Sequence, residues 1–98
     1  MEKRTPHCKL VVVKNLLAAG KIRATVSALA GGAALGFGFD EIVGVVTALR
    51  PRDFYKNMTT HADQRIWQDV YRPRTPAGDV YLKLTVIDDV LIVPFKEL

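Results

Sequence analysis

Cysteine is nearly absent: Cys8 stands alone, so no disulfide can close within the chain. That argues against a small secreted scaffold and fits a reducing compartment. Histidine is almost as scarce, with only His7 and His61, and no Cys or His pair has the spacing of a zinc site. No apolar run nears the ~20 residues of a membrane-spanning helix. The charged start MEKRTPHCKL lacks the long apolar stretch and small-residue cleavage site of a secretory signal. The expectation is a cytoplasmic protein with no metal and no cofactor. A phosphate-binding loop is excluded too, because no glycine-rich stretch ends in Lys-Ser or Lys-Thr. The run GGAALGFG follows no strand, so its glycines read as helix ends and turns. No helix-turn-helix pattern stands out.

What is present is one domain's worth of chain, 98 residues, with 14 Lys plus Arg against 10 Asp plus Glu. The formal charge of +4 suits a polyanion such as RNA, although ordinary solubility charge accounts for it equally well. Residues 6 to 58 carry helical signals and residues 64 to 97 strand signals, with no linker between them. The expected fold is α+β, helices packed on one face of an antiparallel sheet. Pro6 suits the first turn of a helix capped by Thr5, with Leu10, Val13, Leu16 and Leu17 at helical spacing and Gly20 as its stop. Thr25 or Ser27 caps a second helix to Leu35, weakened by Gly31 and Gly32. Asp40 caps a third, Glu41 to Leu49. Pro51 opens a last helical turn, Arg52 to Met58.

The second half alternates. QRIWQDVY (Gln64 to Tyr71) reads as a strand of undecided orientation. After the loop Arg72 to Asp79, VYLKLTVI and VLIVPFKE flank Asp88-Asp89, which is a hairpin signal. With those two residues as the loop, Ile87 faces Val90, Leu84 faces Val93, Leu82 faces Phe95 and Tyr81 faces Lys96. Leu82, Leu84, Val86, Leu91, Val93 and Phe95 then form one apolar face. The other face gathers Tyr81, Lys83 and Lys96 at its polar end. Pro94 cannot donate a ladder bond, so its strand should be an edge or bulge near its end.

A tyrosine and lysines on a concave face can hold a phosphate and stabilise charge developing on phosphoryl oxygens. RNA brings its own nucleophile, the 2′-hydroxyl, so neither a metal nor a covalent intermediate is required. Tyr55, Trp67 and Tyr71 could stack on bases, and Arg72 and Arg74 could contact the backbone. Each residue also has an ordinary reading: Tyr81 and Lys96 as a surface cross-strand pair, Lys56 as a solvated charge, Trp67 as a semi-buried anchor. His61 reads as a loop residue, and Cys8 has no motif that would make it reactive. Asp88 and Asp89 are better explained as a turn than as an acid–base pair.

The segments MEKRTPH, DFYKNMTT, IWQDVYRPR and VYLKLTVIDDVLIVPFKEL resemble the MqsR toxins over about half the chain, with matching length and order. The resemblance implies a RelE-like fold and ribosome-independent cleavage of messenger RNA at GC-containing sites such as GCU. It implies catalytic residues at Lys56, Gln68, Tyr81 and Lys96; the RNA contacts Lys83, Arg72, Arg74 and Tyr55 are read from the residues themselves. It also implies an MqsA-like antitoxin partner that joins a zinc-binding domain to a helix-turn-helix domain. Rival readings are a non-catalytic RNA- or protein-binding module and a nuclease that cuts only on the ribosome.

Overall fold

A computed structural model describes the chain except residues 1, 4, 61 and 62, with the backbone alone for residues 2 and 3. The reading of His61 as a loop residue therefore lies outside the described residues. Among those described, the helices are α1 (Leu10–Ala18), α2 (Val26–Ala34) and α3 (Phe39–Thr47). The strands are β1 (Glu2–Lys3), β2 (Ile22–Ala24), β3 (Phe54–Thr59), β4 (Trp67–Tyr71), β5 (Arg74–Thr75), β6 (Gly78–Val86) and β7 (Val90–Glu97). The sheet runs β1-β3-β4-β6-β7-β2, and β5 folds back on the start of β6. Every pair is antiparallel except β2 with β7. This is the expected α+β arrangement. No single described helix is long and apolar enough to cross a membrane.

The helix ends show where local signals win and where tertiary contacts override them. Thr25 caps α2 as expected, its hydroxyl accepting the Ala28 N–H at 3.1 Å. Gly20 and Gly36 end α1 and α2 at φ of +75° and +83°, where a side chain would be strained. α1, by contrast, begins at Leu10 rather than near Pro6. The buried carboxylate of Asp69 accepts the backbone N–H groups of His7 (2.8 Å) and Cys8 (3.0 Å). Buried Asn57 donates Nδ2 to the Thr5 carbonyl at 2.8 Å. Charge-assisted bonds like those to Asp69 are about twice as strong as neutral ones, so residues 5–8 stay on the sheet. α3 starts earlier than read. Gly38 is its cap and donates its N–H to the Glu41 carboxylate at 3.0 Å, which leaves Asp40 inside the first turn.

Gly31 and Gly32 are not helix ends; they lie inside α2. A Cβ on Gly31 would overlap the Phe95 carbonyl oxygen and stand 3.5 Å from the Lys96 Cα. One on Gly32 would overlap the Ile42 Cδ1 and stand 2.9 Å from its Cγ1. Their missing side chains let α2 lie directly on β7 and α3.

The largest correction concerns Arg52 to Met58. The helix stops after a single 3₁₀ turn, Pro51–Asp53, and residues 54–59 become β3. The Asp53 carboxylate closes that turn by accepting the Arg50 N–H at 2.8 Å. Phe54, Tyr55 and Thr59 are strand formers, and pairing with β4 decides the outcome.

The β6–β7 hairpin forms with one register error that cancels another. Next to the turn, Val86 opposes Val90 and Leu84 opposes Ile92, so the loop is Ile87, Asp88 and Asp89, one residue longer than read. Asp89 is held there by Arg23 of β2, whose guanidinium grips its carboxylate from two nitrogens. The buried residues of β7 near the turn are therefore Val90 and Ile92, not Leu91 and Val93. Between Ile92 and Phe95, β7 then carries one residue more than β6 does between Leu82 and Leu84. That bulge at Val93–Pro94 restores the read pairing of Leu82 with Phe95 and Tyr81 with Lys96. The core lies between this face and the helices: Val13, Ala28, Ile42, Val46 and Leu49 pack on Tyr71, Leu82, Leu84, Ile92 and Phe95.

Candidate active site on the open face of the sheet

Directly opposed residues in an antiparallel pair share a face. On β6 the core takes Val80, Leu82 and Leu84, so Tyr81, Lys83 and Thr85 point the other way. The register carries that face outward across the sheet. Tyr81 opposes Lys96 on β7; Lys83 opposes Val70 on β4, which opposes Lys56 on β3. Gln68, one row further along β4, donates Nε2 to the Thr85 hydroxyl at 3.3 Å. Lys56, Gln68, Tyr81 and Lys96 thus all occupy the side away from the helices. Val70 is fully buried between two lysines, whose alkyl stems can cover it while their ammonium groups stay in water.

The set is a patch with one tight centre. Lys96 Nζ lies 5.4 Å and Lys83 Nζ 5.9 Å from the Tyr81 ring centroid, so two cations stand close to the phenol. Lys56 stands two strand spacings from Lys83, about 10 Å between backbones. Its Nζ is 5.5 Å from the Tyr55 ring. Gln68 is two rows from Tyr81, about 13 Å along the strands.

Tyr55 reaches this face through a second bulge. Phe54 opposes Tyr71 and Lys56 opposes Val70, so Tyr55 is an extra residue in β3. It is 49% exposed, and the Arg72 guanidinium lies 4.6 Å above its ring. That pairing of cation and exposed aromatic suits a nucleobase or a phosphate. Arg74 is also exposed and makes a 3.6 Å ion pair with Asp79.

Two of the aromatic candidates belong elsewhere. Tyr71 is fully buried against Phe54, with ring centroids 5.5 Å apart, and cannot stack on a base. Burial, with lesser contributions from Asp69 and Cys8, pushes its phenol far above the ordinary tyrosine value. Trp67 stacks on His7 at 5.5 Å and 20°, the anchoring role that a semi-buried tryptophan usually has. The orientation of β4 is thereby settled: Asp69 and Tyr71 face the helices and the N-terminal segment, Gln68 and Val70 the open side. The Cys8 thiol is raised by burial and by Asp69, which keeps it from being a ready nucleophile. Among the described residues, no group of three or more His, Cys, Asp or Glu is placed to hold a metal ion.

The family model described as "Motility quorum-sensing regulator, toxin of MqsA" matches residues 5–97. The chain belongs to the MqsR toxin family. It is 59% identical over 97 residues to the mRNA interferase toxin MqsR of Escherichia coli (strain K12), covering 99% of each chain. In this MqsR-family chain the basic face extends further than the sequence pattern alone places it. A cavity of about 530 Å³ beside Tyr55 is lined by Arg72 and Arg74 and also by Arg50 and Arg52. The only hint of the last two in the sequence is a pair of arginines around Pro51, in a segment that reads as helical.

Proposed function

We propose that residues 1–98 act as one toxin domain that cleaves messenger RNA by driving a 2′-hydroxyl onto the adjacent phosphate. The observation that carries this reading is the Tyr81 phenol with the Lys83 and Lys96 ammonium groups close to it on the open face. The supporting comparison is the near full-length identity to a protein named for messenger-RNA cleavage.

The chemistry needs three things from the face. A base takes the proton of the 2′-hydroxyl, and the 2′-oxygen bonds to phosphorus. An acid protonates the 5′-oxygen as its bond to phosphorus breaks. Positive charge stabilises the pentavalent state between them. Lys56, Tyr81 and Lys96 share these roles, and Gln68, held by Thr85, orients the ribose or a neighbouring phosphate. The products are a 2′,3′-cyclic phosphate and a 5′-hydroxyl. RNA supplies the nucleophile itself, so the reaction needs no metal to generate one; the family likeness further supports cleavage without the ribosome, in the cytoplasm, with preference for GC-containing sites such as GCU. An MqsA-like antitoxin, with a zinc-binding domain and a helix-turn-helix domain, neutralises it by direct binding.

The test is purified protein with a defined naked RNA, with the cut ends mapped. Lys56→Ala, Tyr81→Phe and Lys96→Ala should each lower cleavage about 100-fold or more, the usual loss when an acid or base is removed. If all three stay within about threefold of wild type, the site assignment fails. Binding without cutting would make the face a recognition module, and cutting only with ribosomes would overturn ribosome independence.

A further inference from the structure

The cavity lined by Arg50, Arg52, Arg72 and Arg74 is not needed for the chemistry just described, and cations outnumber acidic side chains in its lining. Its two walls are stapled together. The Asp53 N–H donates to the Arg50 carbonyl at 2.9 Å, and the Arg72 N–H donates to the Asp53 carbonyl at 2.8 Å. The 3₁₀ turn is thus tied to the end of β4. Two acidic side chains line the cavity, and neither forms an ion pair with Arg50 or Arg52 among the described residues. The Asp53 carboxylate accepts the Arg50 backbone N–H, and Asp79 faces Arg74 at 3.6 Å. Among the described residues Arg50 and Arg52 make no ion pair, and both are exposed. With Arg74 paired to Asp79, the four guanidinium groups still leave an excess of positive charge around the concavity, which favours an anion there.

The cavity is continuous with the proposed catalytic face. Tyr55, on its wall, precedes Lys56 in β3. Arg72 follows Tyr71, and because Tyr71 opposes Leu82, Arg72 continues β4 alongside Tyr81. An RNA strand lying across Tyr81 and Lys96 reaches this cavity without leaving the surface. Its size is that of a site for one small ligand unit.

We infer that this cavity is a second RNA subsite. Arg50 and Arg52 grip backbone phosphates flanking the one that is cut, while Tyr55 and Arg72 hold the intervening base. This rests on the RNA-cleaving reading of the same face. The subsite sets how tightly longer RNA binds, and the Tyr81–Lys96 end performs the cut.

The test compares wild type with Arg50→Gln/Arg52→Gln on a 20-nucleotide RNA and on a trinucleotide spanning the cut site. Lys9→Gln/Lys21→Gln, remote from this face, controls for lost charge. The arginine pair variant should raise KM for the longer RNA about tenfold and lose its advantage over the trinucleotide. Its salt dependence should flatten by ~1.4 in log–log slope, two phosphate contacts at ~0.7 each for single strands. The control should do neither. KM and slope equal to the control's would overturn the subsite, as would loss of antitoxin binding with RNA behaviour unchanged, which would assign the arginines to a protein partner. Should wild type cut RNA neither naked nor on ribosomes, the catalytic reading fails separately. Binding of the 2′-O-methyl form of the same oligonucleotide, with the same comparison of slopes, then decides the arginine subsite by itself.

Discussion

Three glycines inside helices should respond to the same substitution with different signs. Alanine gains about 0.8–1.0 kcal/mol over glycine in a helix interior. Gly44 lies in α3, exposed, with nothing within 4 Å of the point a methyl group would occupy, so Gly44→Ala should realise most of that gain. Gly31 has the same propensity to gain, but its Cβ would enter the Phe95 carbonyl, which is backbone and cannot rotate aside. α2 would have to lift off β7. Overpacking of this kind costs about 1–3 kcal/mol, and a rigid obstacle puts it at the upper end, so Gly31→Ala should be destabilised by about 2 kcal/mol net. Gly32 falls between, because the atom it meets at 2.9 Å belongs to the Ile42 side chain, which can shift. Urea unfolding of the three variants at constant m measures the series. In a chain of this size 1 kcal/mol corresponds to about 4–8 °C in Tm, so the order is readable thermally as well. Gly31→Ala as stable as wild type would mean that α2 does not sit on β7 at this distance. Because the Lys96 Cα is 3.5 Å from the same point, RNA cleavage by Gly31→Ala should fall even at temperatures where it remains folded.

Tyr71→Phe should stabilise the fold by about 1 kcal/mol, since the buried hydroxyl has no hydrogen-bond partner among the described residues. A drop in Tm would refute that. The raised value of this phenol means the folded state prefers it neutral, so its contribution is full below the ordinary value of 10.0 and is lost as pH rises past it. The gap between wild type and Tyr71→Phe should therefore stay constant at lower pH and widen only in alkaline solution, as pH-dependent melting would show. Asp69→Ala should cost about 2–4 kcal/mol by removing the acceptor of two backbone N–H groups, and should release residues 5–8. Trp67, the single tryptophan, stacks on His7, so its fluorescence should report that release before global unfolding; unchanged emission would count against the anchor.

How much was legible depended on the range of the deciding interaction. Thr25, Gly20 and Gly36 act through neighbours three or four residues away, and their roles could be read directly. The apolar alternation of β6 places Leu82 and Leu84 in the core, and with it Tyr81 and Lys83 on the open face. The β3 strand could not be read locally, because its pairing with β4 joins residues a dozen or so positions apart. Asp69 shortens α1 from 61 and 62 residues away. Gly31 and Gly32 look like helix breakers until the backbone they approach is known. Among the proposed site residues, Tyr81 and Lys96 came together by counting along the hairpin. Lys56 and Gln68 were placed by resemblance alone, since their shared face depends on the β3–β4–β6 register. Arg50 and Arg52 converge with Arg72 and Arg74 only after Pro51–Asp53 turns back toward β4.

The bulge at Val93–Pro94 makes the outward aim of Lys96 a question of parity. From Val90 to the end of β7, side chains are sorted inward or outward by whether the residue count is odd or even, and the additional residue resets that count once. Exchanging one side chain for another here leaves the sorting intact. Deleting Pro94 would leave it intact too: without the additional residue the alternation from Ile92 runs regularly, Phe95 still inward opposite Leu82 and Lys96 still outward opposite Tyr81, so at this one place the strand can lose a residue without re-sorting its faces.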